Sequence, residues 1–254
     1  MLFRRKNKVA LLGSSHITAL KRFVDSSDYT GSFKFTFFGG PGQSMRLLKA
    51  EDGKLSSNDK NLRDSFLKTS GNITNEINPE KYKSFYLHGL VSGSMLVQTI
   101  IKMDTYIKEG GFLSNALIEE TFEKFIHGTL LHTTLEKLRQ VTDKQAYVSL
   151  APLPSEFITK TQKIYRFDDD RIDTCKQLLG MFEACLSRYL EKFGAQYIAQ
   201  PDKSITRGIF TINDYMTGSK PLNDAVLKSQ SQHDLIHANA LYGELLVKAL
   251  QKAI

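Results

Sequence analysis

Two short segments, one near each end of the chain, hold residue types that together could activate a hydroxyl group. Ser15 ends the sequence Gly13-Ser14-Ser15, directly after a short apolar run. Asp234 and His237 stand three residues apart, shortly before the last amphipathic stretch. If the backbone between them turns, the carboxylate can accept from one ring nitrogen while the other nitrogen faces a serine brought in by the fold. Such an arrangement favours nucleophilic acyl transfer.

Each of these residues also has a purely structural interpretation. Ser14 or Ser15, standing ahead of a helix, could cap its N-terminus by accepting from free backbone amides. Asp234 could be an acidic residue at the entry of a helix, and His237 a surface residue. The choice between these interpretations depends on which elements carry the residues and where those elements end.

Short apolar runs alternate with long amphipathic ones along the chain. Five runs have the length and composition of strands, several of them apolar throughout, as strands covered on both faces should be: 8–12, 33–38, 84–87, 146–150 and 196–199. Helical periodicity occurs in five further segments: 17–23, 95–107, 116–141, 171–193 and 239–253. The alternation predicts an α/β fold with a doubly wound parallel sheet of about five strands between two helical layers, a three-layer α/β/α arrangement.

The length of 254 residues is compatible with one domain covering 1–254. The segment 51–78 is polar and rich in Ser, Asn and Lys, so we expect a surface excursion between two strands. In a parallel sheet, ligands bind beyond the carboxyl ends of the strands, so the residues after each apolar run are the candidates for chemistry. Residues 13–16, 39–42, 88–89 and 151–154 occupy such positions.

Taken together, these segments resemble the SGNH hydrolase superfamily, also called GDSL-type lipases and esterases. The family's first block, a strand followed by Gly-Asp-Ser, is matched by Gly13-Ser14-Ser15. Its last block, Asp-x-x-His before the final helix, is matched by Asp234 and His237, and the family's frequent His-x-Asn and Tyr-Gly follow. The resemblance runs from about residue 8 to 253. It implies a flavodoxin-like architecture.

The same resemblance implies the role of each site residue. Ser15 corresponds to the nucleophile, His237 to the general base and Asp234 to the residue that orients it. The backbone N–H groups of Ser15 and Gly40 correspond to the donors of the oxyanion hole.

The sequence departs from the family pattern in two places. Ser14 stands where the first block usually has aspartate, a change seen among polysaccharide-related relatives. The third block, usually Gly-x-Asn-Asp, reads Gly89-Leu90-Val91-Ser92, so its oxyanion-binding asparagine is missing. Ser92, Ser94 or His88 could replace it, and His88 or Ser92 could contact substrate. If none of them replaces it, an asparagine introduced at Val91, the aligned position, should raise the hydrolysis of small acetyl esters.

The resemblance implies a serine-dependent O-acyl ester hydrolase or acyltransferase, with an O-acetylated carbohydrate of bacterial polysaccharide biosynthesis as the favoured substrate. This mechanism requires no cofactor and no metal. The degraded third block favours an alternative, a catalytically weak SGNH-like domain that binds a glycan or a protein partner.

The composition limits the classes of binding partner that we expect. The net charge of +7 is spread along the chain, apart from a basic cluster within residues 1–8. It is compatible with an anionic glycan or acyl donor, but zinc-finger spacing and basic heptads are lacking, so we do not expect nucleic-acid binding. The apolar run 9–12 is too short for a signal peptide, and no stretch is long enough for a membrane span, so the sequence predicts a cytoplasmic protein.

The chain has only two cysteines, Cys175 and Cys185. Both fall in one predicted helix, where ten residues of helical rise separate them by about 15 Å, too far for a disulfide. We therefore expect them to be reduced and structural.

Overall fold

The computed structural model describes residues 7–26, 29–220 and 234–254. Residues 1–6 of the basic N-terminal cluster and His233 lie outside the described residues. The strands are β1 Asn7–Gly13, β2 Phe33–Gly39, β3 Lys49–Glu51, β4 Lys54–Ser56, β5 Ser84–His88, β6 Ala146–Ser149, β7 Ala195–Tyr197, β8 Ile205–Thr206 and β9 Phe210–Thr211. The α-helices are α1 Ile17–Val24, α2 Lys60–Thr69, α3 Gly93–Lys108, α4 Asn115–His127, α5 Leu130–Val141, α6 Ile158–Thr161, α7 Ile172–Glu191 and α8 Ala240–Ala253.

Five of these strands form the central sheet, in the order β2-β1-β5-β6-β7. All neighbouring pairs in this sheet are parallel, and Gly13 at the end of β1 pairs with Gly39 on one side and His88 on the other. This is the doubly wound 2-1-3-4-5 order, in which the chain changes winding direction between the first and third strands. The predicted three-layer α/β/α fold with a five-stranded parallel sheet is confirmed.

Two apolar clusters cover the two faces of the sheet. The alternating residues of β1 divide between them, since Val9 and Leu11 belong to the cluster under α1 and α8 while Ala10 and Leu12 belong to the other. The second cluster is larger and takes in buried residues of α2, α3, α4, α5 and α7. Because every residue from Val9 to Leu12 is fully buried, β1 is an apolar run rather than an alternating one.

The predicted helix 116–141 is two helices. α4 ends at His127 and α5 begins at Leu130, with Gly128 as the C-cap of the first and Thr129 as the N-cap of the second. The apolar periodicity continues across this break because both helices pack against the same core. Periodicity alone therefore could not reveal the break.

The segment 51–78 also differs from the expected surface excursion. It contains the end of the β3–β4 hairpin and the whole of α2, and four of its apolar residues are fully buried: Leu55, Leu62, Phe66 and Ile77. Polar residues fill the positions between them, which explains the polar composition of the segment. This part of the chain covers one face of β2, against which α2 packs.

Cys175 and Cys185 both lie on α7, where they are buried and free of disulfide bonds. Burial raises the pKa of the Cys175 thiol to about 12 and also raises that of Cys185. Within the described ranges, no helix has the length and apolar character that crossing a membrane requires.

Candidate active site

The first candidate residue, Ser15, lies in the turn between β1 and α1. The Ser14 hydroxyl donates to the Gly89 carbonyl at 2.7 Å, which ties this turn to the chain that leaves β5. The Thr18 hydroxyl donates to the Ser15 carbonyl at 2.8 Å. The N-cap of α1 is His16, which makes no side-chain capping bond, so neither serine has the structural role that the sequence left open. Ser15 therefore lies at the switch point of the sheet with its hydroxyl free of the helix.

The three residues proposed as a catalytic unit are brought together. Ser15 Oγ lies 2.9 Å from His237 Nε2, and His237 Nδ1 lies 2.8 Å from Asp234 Oδ2. An ionised carboxylate can only accept, so the ring proton is on Nδ1 and the lone pair of Nε2 faces the serine hydroxyl. In this tautomer the imidazole can take the hydroxyl proton from Ser15 as the oxygen attacks.

Asp234 is held in its ionised form by the turn that it closes. Its Oδ1 atom accepts from the backbone N–H groups of Ile236 at 3.1 Å and of His237 at 3.0 Å. Burial by itself raises the pKa of this carboxyl, but the hydrogen bonds and charge of His237 outweigh it, so the net pKa is lowered. The carboxylate thus fixes both the backbone and the ring of the histidine.

The segment that carries Asp234 and His237 is attached to the domain at both ends. The backbone N–H of Ser155, after β6, donates to the Leu235 carbonyl at 2.8 Å. Asn239 caps α8 by accepting from two backbone amides, and its Nδ2 group donates to the carbonyls of Asp214 and Thr217. The position of the base is therefore set by loops that follow β6 and β9 as well as by its own helix.

A close contact between two helices holds together the segments that carry Ser15 and His237. α1 begins two residues after Ser15, and α8 begins three residues after His237. The two helices touch at Gly243, where an added Cβ would lie 2.1 Å from the Ala19 carbonyl oxygen. Only glycine permits this approach, and the Tyr-Gly pair of the sequence resemblance contains this residue.

A second imidazole, His16, lies against the base. The rings of His16 and His237 are stacked, with centroids 4.5 Å apart and an interplanar angle of 22°. Burial lowers the pKa of His16 well below its usual value, and the nearby His237 and His88 lower it further against an opposing effect of Asp234. His16 is therefore neutral at physiological pH and supports the face of His237 without adding charge.

A cavity of about 540 Å³ opens beside Ser15. It reaches from the turn after β1 to the loop after β2, the start of α3 and the break between α4 and α5. Four apolar side chains line it: Leu90, Met95, Phe125 and Leu130. Its three long polar side chains, here called the polar wall, are Gln43, Arg46 and Lys124. The nucleophile thus faces a space large enough for an ester substrate of moderate size.

The expected second oxyanion donor differs in this structure. The backbone N–H of Gly40 donates to the Gly13 carbonyl at 2.9 Å, and Gly40 is not among the residues that line the cavity. Two residues later, Gly42 does line the cavity and has a positive φ of 52°. Within residues 7–26, 29–220 and 234–254, the Gly42 amide makes no hydrogen bond.

The third block also differs from its expected placement. The Val91 side chain is fully buried in the larger apolar cluster, and its backbone carbonyl accepts from the backbone N–H of Ala151. An asparagine side chain at this position would therefore lie in the core and would not reach the cavity. Its neighbour Leu90 lines the cavity instead. Gly89 has a φ of 71°, which turns the chain so that the next side chain faces the site.

Of the two substitutes expected for the missing asparagine, only Ser92 lines the cavity. His88 is fully buried, has Nδ1 2.7 Å from Ser149 Oγ and does not line the cavity. Ser92 does line it, but its hydroxyl accepts from Met95 N at 3.3 Å as the N-cap of α3 and lies 3.0 Å from Ser94 Oγ.

Sequence reasoning missed the residues of the polar wall, and it placed His16 in a candidate segment without predicting its stacking on His237. Arg46 and Gln43 follow β2, a strand whose carboxyl end was expected to border the site, so their position in the chain was a usable signal. Lys124 and the residues at the α4–α5 break gave no such signal, because the segment was interpreted as one uninterrupted helix.

Comparison with known proteins leaves the family open. No protein-family model matches the chain, and no curated protein matches it. One solved structure that matches is the lipase Lip_vut3 from goat rumen metagenome, at 14% identity, with 97% of each chain covered and a TM-score of 0.43. Function is therefore inferred from the site itself.

Proposed function

We propose that the protein is an SGNH-type, serine-dependent O-acyl ester hydrolase or acyltransferase. The observation that carries this proposal is the hydrogen-bonded series from Asp234 through His237 to Ser15 at the edge of a cavity. If Ser15 served only to cap α1, its hydroxyl would bond to the backbone of that helix. Instead it meets a histidine that is 222 residues away in sequence.

The reaction we propose has two halves. Ser15 Oγ attacks the acyl carbonyl carbon while His237 Nε2 takes the hydroxyl proton, and the carbonyl oxygen becomes an oxyanion. Collapse of this intermediate breaks the ester bond, and His237 returns the proton to the departing alcohol. Water, or the hydroxyl of an acceptor, then repeats the sequence on the acyl-serine, which regenerates Ser15. Asp234 stabilises the imidazolium that forms in each half.

For the oxyanion we propose the backbone N–H of Ser15 together with that of Gly42, in place of Gly40. Both residues line the cavity, and a preorganised donor of this kind typically contributes about 3–4 kcal/mol of transition-state stabilisation. No metal or cofactor enters this mechanism.

The favoured substrate is an O-acetylated carbohydrate, on the sequence resemblance to polysaccharide-related relatives. A cytoplasmic setting in glycan assembly remains a prediction from the sequence.

The decisive experiment is a panel of aryl acetates combined with covalent labelling. The parent protein should hydrolyse the esters and should gain one adduct from a phenylmethanesulfonyl fluoride probe, located at Ser15 by peptide mass spectrometry. Ser15→Ala should lose at least about 10³-fold in turnover and lose the adduct. Ser92→Ala, which removes another serine from the cavity lining, is the matched control and should still be labelled.

The second candidate function is a glycan- or protein-binding domain with weak catalysis. The engaged Gly40 amide and the buried Val91 favour it, because both reduce the expected set of oxyanion donors. It predicts sulfonylation of Ser15 with ester turnover no faster than that of Ser15→Ala. Rapid turnover by the parent protein would exclude it.

A further inference from the structure

The polar wall of the cavity is built from hydrogen-bond donors. Gln43, Arg46 and Lys124 are its long polar side chains, and no aspartate or glutamate lines the cavity among the described residues. A site for a neutral sugar would be expected to mix donors with carboxylate acceptors, since each sugar hydroxyl both donates and accepts. This wall is suited instead to a ligand that only accepts.

Arg46 is the preorganised part of this wall. Its Nε atom donates to Gln43 Oε1 at 2.9 Å and its Nη2 atom donates to the Gly128 carbonyl at 3.0 Å. Its own backbone carbonyl accepts from Lys137 Nζ at 2.8 Å. All of these contacts leave the guanidinium charge without a carboxylate partner in the described parts of the chain. The cation is therefore oriented by two hydrogen bonds but not neutralised.

The bond to Arg46 also orients Gln43. A guanidinium has no acceptor, so the amide atom that faces Nε must be oxygen, and the NH₂ group of Gln43 is left for another partner. No residue that the structure describes accepts from it. Gln43 Nε2 and Arg46 Nη1 therefore both keep hydrogens to donate, and both residues line the cavity.

Lys124 is a weaker contributor. Its side chain is 76% exposed and its ammonium lies 2.6 Å from Glu120 Oε1. An exposed lysine that is already paired has little charge to offer a ligand. Recognition by this wall therefore depends mainly on Arg46 and Gln43.

We infer that the acylated substrate carries an anionic group, a carboxylate or a phosphate, which binds Arg46 and Gln43 while its ester faces Ser15. The planar fork of arginine matches both anions, and the neighbouring amide supplies a further donor. This inference rests on the proposed function, and within it narrows the favoured substrate from an acetylated sugar to an acidic one. The apolar side chains that also line the cavity would contact the carbon skeleton of the same molecule.

The test uses acetate esters that share one aromatic ring and differ in the group opposite the ester. These are 4-acetoxybenzoate, 4-acetoxyphenyl phosphate, the neutral methyl 4-acetoxybenzoate and the cationic 4-acetoxybenzyltrimethylammonium. For the parent protein, kcat/KM should be about tenfold higher for at least one anionic ester than for the neutral ester, and lowest for the cation. The preference should decrease as the salt concentration rises. The carboxylate and phosphate arms identify which anion the site prefers.

Variants assign the effect to residues. Arg46→Gln should raise KM for the preferred anionic ester about tenfold and leave kcat/KM for the neutral ester within about twofold. Gln43→Glu should also raise KM for the anionic ester, because it replaces a hydrogen-bond donor with a negative charge that repels the anion. The matched control is Arg63→Gln, since Arg63 also donates to backbone carbonyls but does not line the cavity.

Two results would overturn the inference. Equal losses for anionic and neutral esters in Arg46→Gln would show that Arg46 only holds the loop, and equal kcat/KM for all four esters in the parent protein would show no anion site. If the parent hydrolyses none of them, the proposed function fails, and binding of 4-hydroxybenzoate and 4-hydroxyphenyl phosphate to Ser15→Ala protein, measured by ligand-observed NMR, then decides. Saturable binding of either anion that Arg46→Gln abolishes would support the anion site on its own, and absence of binding by both would refute it.

Discussion

The three residues proposed to be catalytic and the polar wall of the cavity are held in different ways. Ser15, His237 and Asp234 are fixed by short hydrogen bonds, a stacked ring and two helices in backbone contact. Gln43 and Arg46 are exposed residues that follow β2. They are held by two hydrogen bonds from the Arg46 side chain, one to Gln43 and one to the Gly128 carbonyl, and both acceptors are neutral. The first region needs a fixed geometry because it must transfer a proton, whereas the second needs only a charge in the right place. Changes to the first should therefore affect turnover, and changes to the second should affect KM.

The largest expected effect is that of Asp234→Asn. The amide keeps the shape of the side chain but can present its NH₂ group to the ring, which favours the wrong tautomer and leaves the imidazolium unsupported. We expect kcat for aryl acetates to fall about 10³- to 10⁴-fold with KM little changed. Steady-state kinetics measure the loss, and circular dichroism should show an unchanged fold.

The control for this variant is Asp25→Asn, which alters an exposed carboxylate paired with Lys21 on α1. It should leave kcat within about twofold of the parent. Equal losses in both variants would contradict the assignment of Asp234.

The next effect tests the helix contact that places the base. In Gly243→Ala, the new methyl group would meet the Ala19 carbonyl oxygen, so α8 must move away from α1 and carry His237 with it. A displacement of about 1 Å at a reacting group costs about 100-fold in turnover, so kcat should fall by that order. The melting temperature should fall as well.

Gly180→Ala on α7 is the matched control, because an added Cβ there meets nothing within 4 Å. Alanine is the better helix former, so this variant should be as stable as the parent or slightly more stable, with full activity. Unchanged kcat in Gly243→Ala would mean that the helix spacing does not set the catalytic distance.

A smaller effect concerns stability and pH. Burial lowers the pKa of His88 to about 3, whereas in the unfolded chain the ring titrates near 6.5. Below pH 6.5 the unfolded state takes up a proton at His88 that the folded state does not. The contribution of His88 to the free energy of unfolding is therefore fully present above that pH and is lost as the pH falls towards 3. Between pH 7 and pH 5 this group alone should remove about 2 kcal/mol from the free energy of unfolding.

Urea unfolding at the two pH values measures this loss, and His88→Gln should decline by about 2 kcal/mol less than the parent. Its comparison variant is His127→Gln, which changes an exposed histidine. If His88→Gln declines as steeply as the parent, then His88 is protonated in the folded state.

The smallest effect is that of the stacked ring. His16→Ala removes the face that supports His237 and should lower kcat about 3- to 10-fold, whereas His16→Phe keeps a ring and should stay near the parent value. A pH profile distinguishes support from proton transfer, because His16→Phe should keep the same pH dependence. Loss of an inflection that the parent profile contains would show that His16 itself exchanges a proton during turnover.

The sequence carried enough information to predict the five-stranded sheet and to select Ser15, Asp234 and His237, which the structure brings together. Apolar runs such as 33–38 have the length and composition of covered strands. Ser15 and His237 lie shortly before α1 and α8, where the fold decides which residues meet. The helix break at Gly128 was missed because one glycine does not interrupt an apolar face that continues on both sides of it.

The oxyanion donors could not be predicted in the same way. The choice between the amides of Gly40 and Gly42 depends on a hydrogen bond from the first to Gly13, on a neighbouring strand. Likewise, whether Leu90 or Val91 faces the cavity depends on the positive φ of Gly89. The first is a tertiary contact and the second a backbone conformation, and neither can be predicted from the residue types alone.

The distance in sequence between Ser15 and His237 has a consequence for how activity is acquired. In the proposed mechanism, the nucleophile Ser15 is synthesised 222 residues before its base His237, and its hydroxyl is not activated until α8 docks on α1. Ester cleavage therefore reports the docking of α8, one of the long-range steps of folding. In a refolding experiment, esterase activity should return later than the far-ultraviolet circular dichroism signal. The delay between the two measures how long the helices and strands exist before α8 has docked and the site is complete.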